Sequence, residues 1–143
     1  MIFLRARAHE LYTLVMNTKE IADYKAILEG ELAKLDAELQ TVGRRNPDVP
    51  GDWEAQAKDM EDPSATEPDE KADKFEEYES NSDILDGLEI HWRNVKRALQ
   101  KIEDGTYGVC EIGVEPIETD RLKVNPSART CKQHMPEEEG LVK

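Results

Sequence analysis

Aromatic residues are scarce in this 143-residue chain: they make up 6% of it, with two phenylalanines and two tryptophans. So little large apolar surface cannot fill a spherical core of that length, which leaves a small globule joined to an elongated element. Cysteine is nearly missing too. Cys110 and Cys131 are too few for a secreted disulfide scaffold and suit a reducing cytoplasm. No apolar run approaches the ~20 residues that a membrane helix needs. The opening Met1-Ile-Phe-Leu-Arg-Ala-Arg mixes charge into a short apolar stretch and lacks a small-residue cleavage site, so neither a membrane span nor export is expected. There is no Gly-rich phosphate loop, and no Ser/His/Asp or Cys/His arrangement stands in a catalytic context. The expected protein is not an enzyme.

What the chain has in excess is acid. Charged residues reach 36% and the net charge is -13. Thirteen acidic residues lie between Asp48 and Glu79 against Lys58, Lys71 and Lys74, so this window alone carries -10. Such a field repels phosphate backbones and argues against sequence-specific contact with DNA; basic protein surfaces and bound metal ions are its natural counterparts. Charge by itself weighs toward a solvating, partly disordered acidic loop.

Residues 1–15 share neither this charge pattern nor the periodicity that follows, and they are set apart as an N-terminal extension. Met16-Asn-Thr-Lys-Glu reads as a natural beginning, with a helix N-cap at Asn17 or Thr18. From Thr18 to Val42, Ile21, Tyr24, Leu28, Leu32, Leu35, Leu39 and Val42 step by three and four, a helical stripe that Gly43 is expected to close with a C-terminal cap. Arg44 to Pro68 holds four of the seven prolines and no continuous helix, although Trp53 within it is expected to fold back onto a helix. Helical spacing returns from about Asp69 to Glu103 through Leu85, Leu88, Trp92, Val95, Leu99 and Ile102, with Phe75 and Tyr78 extending the stripe. His91 stands beside Trp92 with no partner motif and reads as a surface or packing residue.

Two such helices predict a mainly α fold. Residues 16–104 form an antiparallel coiled-coil hairpin whose Pro-rich acidic tip spans 44–73, and residues 105–143 form a small C-terminal globule. The globule has few apolar residues (Tyr107, Val109, Ile112, Ile117, Leu122, Val124), and a core so small usually needs a metal or a supporting helix.

Within it, Cys131-Lys-Gln-His134 looks like half of a zinc knuckle, because a thiolate and an imidazole three residues apart reach two corners of a tetrahedron. The other half reads Cys110-Glu-Ile-Gly113, one thiolate short. Three ligands, Cys110, Cys131 and His134, leave water or a nearby carboxylate such as Glu111 as the fourth. Structural zinc sites nearly always use four protein ligands, so the residues alone weigh toward a zinc-free globule with two small buried cysteines.

The stretches Ile102-Glu-Asp-Gly-Thr-Tyr-Gly-Val-Cys-Glu, Glu115-Pro-Ile-Glu-Thr-Asp-Arg-Leu and Asn125-Pro-Ser-Ala-Arg-Thr-Cys resemble the zinc-finger globule of the DksA/TraR family. That family's pattern, two Cys-x-x-Cys pairs separated by seventeen residues, falls without a gap on Cys110, Gly113, Cys131 and His134; Gly113 stands where a thiolate belongs and Val114 where a glycine usually follows. The resemblance implies a transcription regulator that binds bacterial RNA polymerase through its secondary channel. The family's tip motif Asp-x-x-Asp-x-Ala, near the catalytic magnesium, falls on Glu67-Pro-Asp-Glu70-Lys-Ala72, and Asp69 and Asp73 supplement its charge. The family's basic positions for guanosine tetraphosphate fall on Gly87, Asn94 and Met135, none cationic, so weak or absent dependence on that alarmone is expected. The neighbouring alternatives are stimulation of transcript cleavage in the manner of Gre factors, a coiled-coil scaffold with a solvating loop, and an acidic nucleic-acid mimic.

Overall fold

The computed structural model describes residues 16–56 and 67–141. The extension over residues 1–15, and with it the expectation that Met16 is the natural start, lies outside the described residues. Among the described residues the chain is mainly helical with one two-stranded sheet, and it divides into two compact units. One combines the chain up to Ala33 with the chain from Arg93 onward; the other is Lys34–Trp92.

Helix α1, Thr18–Val42, begins with a reciprocal cap. Asn17 Oδ1 accepts the Glu20 N–H at 2.9 Å, while Glu20 Oε2 accepts the Asn17 N–H at 3.1 Å, so two donors that a helix start leaves orphaned are satisfied. Leu28, Leu35, Leu39 and Val42 of its stripe are buried, and Ile21, Tyr24 and Leu32 are half-buried. Helix α2, Pro68–Asp104, buries Leu85, Trp92, Val95 and Ala98. Proline suits its first position, where the missing N–H has no intrahelical acceptor anyway. Phe75 departs from the expected stripe: it is 56% exposed. No helix among the described residues is long and apolar enough to cross a membrane.

In the Lys34–Trp92 unit the two helices run antiparallel. Trp92 Nε1 donates to Asp36 Oδ1 at 2.8 Å, and one heptad further along α1 and back along α2 Gly43 meets Leu85. The segment after α1 is not wholly irregular, as its prolines had suggested. β1, Gly43–Arg45, pairs antiparallel with β2, Trp53–Ala55, with Arg45 opposite Trp53. The loop between them is closed by Asn46, whose N–H donates to Asp52 O at 2.9 Å and whose Nδ2 donates to Asp52 Oδ2 at 3.1 Å; Gly51 supplies the left-handed residue at φ 81°.

Trp53 does fold back onto a helix. It is buried, lies edge-on to Trp92 at 6.1 Å between ring centroids, and carries the Arg45 guanidinium 5.3 Å from its ring centre. Gly43 does not serve as a left-handed cap; it is the first residue of β1 and is needed for close approach. A Cβ there would collide with the Glu54 carbonyl oxygen and lie 2.7 Å from Leu85 Cδ1.

In the other unit, α2 ends in a Schellman motif. The Thr106 N–H reaches Lys101 O at 2.8 Å and the Gly105 N–H reaches Ile102 O at 3.3 Å, with Gly105 at φ 74°. Tyr107 follows directly and is buried. Its ring packs 5.7 Å from that of Tyr24 on α1, and its hydroxyl donates to Pro126 O at 2.7 Å. Burial pushes the phenol pKa well up, helped by Tyr24 and Glu31 nearby. An isolated bridge, Val109 to Pro116, helix α3 (Thr119–Val124) and a 3-10 helix (Lys132–Gly140) complete the globule. Val109, Ile117, Leu122 and Ala128 join Tyr107 inside it, whereas Val124, expected in this core, is 88% exposed. It stands two residues beyond inward-facing Leu122 at the end of a six-residue helix, which turns its side chain away.

Opposite outcomes are expected from two kinds of glycine. Gly30 and Gly87 are helical and exposed, and a Cβ at either would meet nothing within 4 Å, so Gly30→Ala and Gly87→Ala should each add about 0.5–1 kcal/mol of stability. Gly43→Ala should remove about 1–3 kcal/mol by overpacking against Leu85 and Glu54. Urea unfolding followed by circular dichroism distinguishes them; a stabilised Gly43→Ala would contradict this close packing.

Candidate metal centre and acidic helix start

The expected ligands Cys110, Cys131 and His134 meet in one place. The loop enclosed by the Val109–Pro116 bridge is pinned by the Cys110 N–H to Glu115 O at 2.7 Å and the Val114 N–H to Cys110 O at 3.1 Å. Val114 is held at φ 58°. For a β-branched residue that conformation costs about 1–3 kcal/mol, a strain that the surrounding bonds must offset. On the other side the His134 N–H returns to Cys131 O at 3.1 Å and turns the imidazole inward.

His134 Nδ1 lies 3.1 Å from Cys131 Sγ, 3.6 Å from Cys110 Sγ and 3.0 Å from Glu115 Oε1. One donor atom from each of the four residues lies within 4.8 Å of the others, and among the described residues this is the cluster of metal-ligating type. Zinc bond lengths in a tetrahedron place neighbouring donors roughly 3.3 to 3.8 Å apart. The separations from Nδ1 match that within about half an ångström, so Cys110, Glu115, Cys131 and His134 could hold a metal ion.

Both cysteines are buried and free of disulfides. Burial by itself raises the Cys110 thiol pKa, but N–H groups of Gly113, Cys131 and Ile112 outweigh it and hold the thiol below its ordinary value. The Gly113 N–H points at Cys110 Sγ from 3.5 Å. Cys131, buried and next to Cys110, is shifted upward. A thiolate, the form that binds metal, is therefore favoured at Cys110 first.

Glu111, the carboxylate offered beside water as a fourth ligand, is committed elsewhere. It takes a two-pronged bond from Arg129, Nε at 2.6 Å and Nη2 at 3.1 Å, and a third from Lys101 Nζ at 3.1 Å. Burial would raise its pKa, but Arg129 and Lys101 overcome that and lower it. Burial lowers the pKa of Lys101 in turn. The fourth member of the cluster is Glu115, which motif spacing passes over; the legible hint was an acid two residues beyond a missing side chain.

A second carboxylate, Glu138, braces the strand of chain before Cys131. It accepts the Arg129 N–H at 2.9 Å and the Thr130 hydroxyl at 2.9 Å, and pairs with Arg121, whose Nε also reaches Thr130 O at 2.7 Å.

Glu67, Asp69, Glu70, Ala72 and Asp73 are all exposed. Glu67 precedes α2, and its carbonyl accepts the Lys71 N–H at 3.3 Å; the others occupy the first two turns of the helix. Acids at a helix N-terminus oppose the positive end of its dipole, so the fold itself tolerates them there. The acidic stretch over residues 57–66 lies outside the described residues. His91 is half-buried on α2, Gly87 is exposed, Asn94 accepts from Arg97 at 3.1 Å, and Met135 is 50% exposed.

No protein-family model matches the chain. Over 59 residues it is 37% identical to the uncharacterized protein YteA of Bacillus subtilis, a match covering 40% of this chain and 25% of that protein. Over 35 residues it is 57% identical to general stress protein 16O of the same organism, covering 24% of this chain and 22% of that protein. The matches thus span about a quarter of these relatives' length. Similarity to the structure of transcription factor DksA2 from Pseudomonas aeruginosa is much broader: it covers 92% of this chain and 95% of that one at a TM-score of 0.67 and 22% identity. The chain has a DksA-like fold.

Glu111→Gln, made in chelated protein, should cost about 2 kcal/mol at pH 7, because two mostly buried cations lose their charged partner. The folded-state pKa of Glu111 lies below its ordinary value, so its contribution is present above the usual glutamate range and vanishes as pH falls through the folded value. Stability curves of the two proteins should therefore converge in acid. Equal stability at pH 7 would show that Arg129 and Lys101 do not depend on this carboxylate.

Proposed function

We propose that this chain regulates transcription by binding bacterial RNA polymerase directly, entering by the secondary channel with the carboxylates at the start of α2 directed toward the catalytic magnesium. One observation carries the reading: a DksA-like fold extends over 92% of the chain, and within it the acids of the expected tip segment stand exposed at the beginning of a 37-residue helix.

The physical role of Glu67 and Glu70 in this reading is electrostatic. An acidic window of -10 is attracted by basic protein walls and repelled by nucleic-acid phosphates. Carboxylates brought close to the polymerase active site alter, by charge and hydrogen bonding, the elements that hold the promoter complex, and so shift the equilibrium between its states. No bond is made or broken by the chain itself. Asp69 and Asp73 add to the same field, and Ala72 keeps the helix surface small between them. A metal held by Cys110, Glu115, Cys131 and His134 would supply a cross-link between two loops of a small globule, a structural duty remote from this chemistry.

A Gre-like role, in which the acids help hold magnesium for transcript cleavage, is the neighbouring reading, favoured by the same exposed carboxylates. The residues at Gly87, Asn94 and Met135 offer no cation to guanosine tetraphosphate.

In a pull-down, core RNA polymerase should be retained equally by the wild type and by Glu67→Ala/Glu70→Ala, while the double variant should lose its effect on open-complex lifetime in transcription reactions. Failure of the wild type to bind polymerase would overturn the proposal, and release of short 3′ transcript fragments from stalled complexes would favour the cleavage reading. Adding the chain should not raise the effect of guanosine tetraphosphate on promoter activity.

A further inference from the structure

We propose that Glu115 is the fourth ligand, beside Cys110, Cys131 and His134, of a site for a zinc-class divalent ion, and that Gly113 is the residue that makes room for it. Three independent features of the knuckle converge on this assignment, and none depends on how the chain acts on transcription.

The first is volume. A Cβ at position 113 would overlap Glu115 Oε1 and lie 2.6 Å from His134 Cε1. The carboxylate therefore occupies the corner that a side chain at 113 would fill, and a residue with a Cβ there would displace it from this position. A glycine in a knuckle otherwise one ligand short thus has a steric reason.

The second is backbone aim. The left-handed turn at Val114, φ 58°, reverses the chain between positions 113 and 115, and the 2.7 Å bond from the Cys110 N–H to Glu115 O fastens the acid beside the first thiolate. Glu115 Oε1 arrives 3.0 Å from His134 Nδ1, the atom that faces both sulfurs. Strain of this kind persists where surroundings over-determine it, commonly at ligand sites.

The third is donor chemistry. Two thiolates, one neutral imidazole and one carboxylate carry the same formal charge as three thiolates and an imidazole, so exchanging Cys for Glu leaves the charge facing the ion unchanged. Zinc accepts sulfur, nitrogen and oxygen in one tetrahedron. Glu111 does not compete, being bound by Arg129 and Lys101. The oxygen corner is also the open one. The Glu115 side chain is 43% exposed and that of His134 20%, while both cysteines are buried, so the ion is reached from the Glu115 side and exchanges faster than one enclosed by four thiolates. A hard oxygen donor also disfavours soft monovalent copper relative to zinc.

Cobalt(II) titrated into the chelated, reduced full chain provides the test, since it reports both geometry and thiolate count by absorption. One equivalent should bind with an intense tetrahedral ligand-field band and sulfur charge transfer from two thiolates, and one equivalent of zinc should displace it. Glu115→Ala should weaken cobalt binding by at least about tenfold, the least that loss of even an outer partner of a metal site costs, and should shift the ligand-field band as water enters. Gly113→Cys/Glu115→Ala should restore tight binding with the added charge transfer of a third thiolate. Circular dichroism of each variant confirms that it is folded. Cobalt binding by Glu115→Ala with unchanged affinity and spectrum would overturn the assignment. So would a wild type that binds no cobalt, in which case Glu115 and His134 form a plain ion pair.

Discussion

Tyr107 holds together the parts of the globule that would otherwise have little reason to meet. It follows the Schellman turn of α2 directly, its ring rests on Tyr24 of α1, and its hydroxyl is spent on the carbonyl of Pro126. One side chain thus fixes the first helix, the exit of the second and the turn that begins at Asn125. Cys110 lies three residues beyond this anchor and Cys131 five beyond the carbonyl it grips, so the position of both sulfurs descends from a single buried phenol. An aromatic ring brings the apolar area that this sparse core lacks elsewhere, and the hydrogen bond removes the penalty of burying its oxygen.

Around that anchor the polar residues divide their work by partner. Glu111 answers Arg129 and Lys101, Glu138 answers Arg121, Thr130 and the Arg129 amide, and Glu115 turns to the imidazole. Three glutamates within one small globule therefore serve three different ends, and only their surroundings tell them apart. The acids at the start of α2 belong to a fourth kind: exposed, favoured by the helix dipole, and, among the described residues, not consumed by internal contacts of the sort that occupy Glu111.

Much of this was legible in the chain. The helix start was legible as an N-cap at Asn17 or Thr18 because capping is a local matter, and the end of α1 followed from the stripe ending at Val42; that Glu20 completes the cap with Asn17 is shown by the folded chain. The inward turn of Trp53 followed from the cost of leaving an indole in water. Three-residue strands such as Gly43-Arg-Arg and Trp53-Glu-Ala are too short to display alternation, so their pairing was not legible. Gly43 looked like a cap because spacing cannot distinguish a glycine needed for a left-handed residue from one needed for contact with Leu85. Phe75 and Val124 continued apolar patterns past the point where a partner surface exists among the described residues. At the knuckle, Cys110, Cys131 and His134 stood at recognisable intervals, but Glu111 and Glu115 are told apart only by Arg129, eighteen residues away, and by the emptiness at Gly113. Both are properties of the folded chain.

The edge-to-face indoles have an optical consequence. The chain's two tryptophans, Trp53 and Trp92, both belong to the Lys34–Trp92 unit, while Tyr24 and Tyr107 belong to the other. Trp92 gives its N–H to Asp36, whereas the buried N–H of Trp53 has no acceptor among the described residues, so the two chromophores sit in unlike electrostatic surroundings. Indole emission excited at the red edge therefore arises from the unit that carries the acidic helix start, and its spectrum follows the packing of that unit.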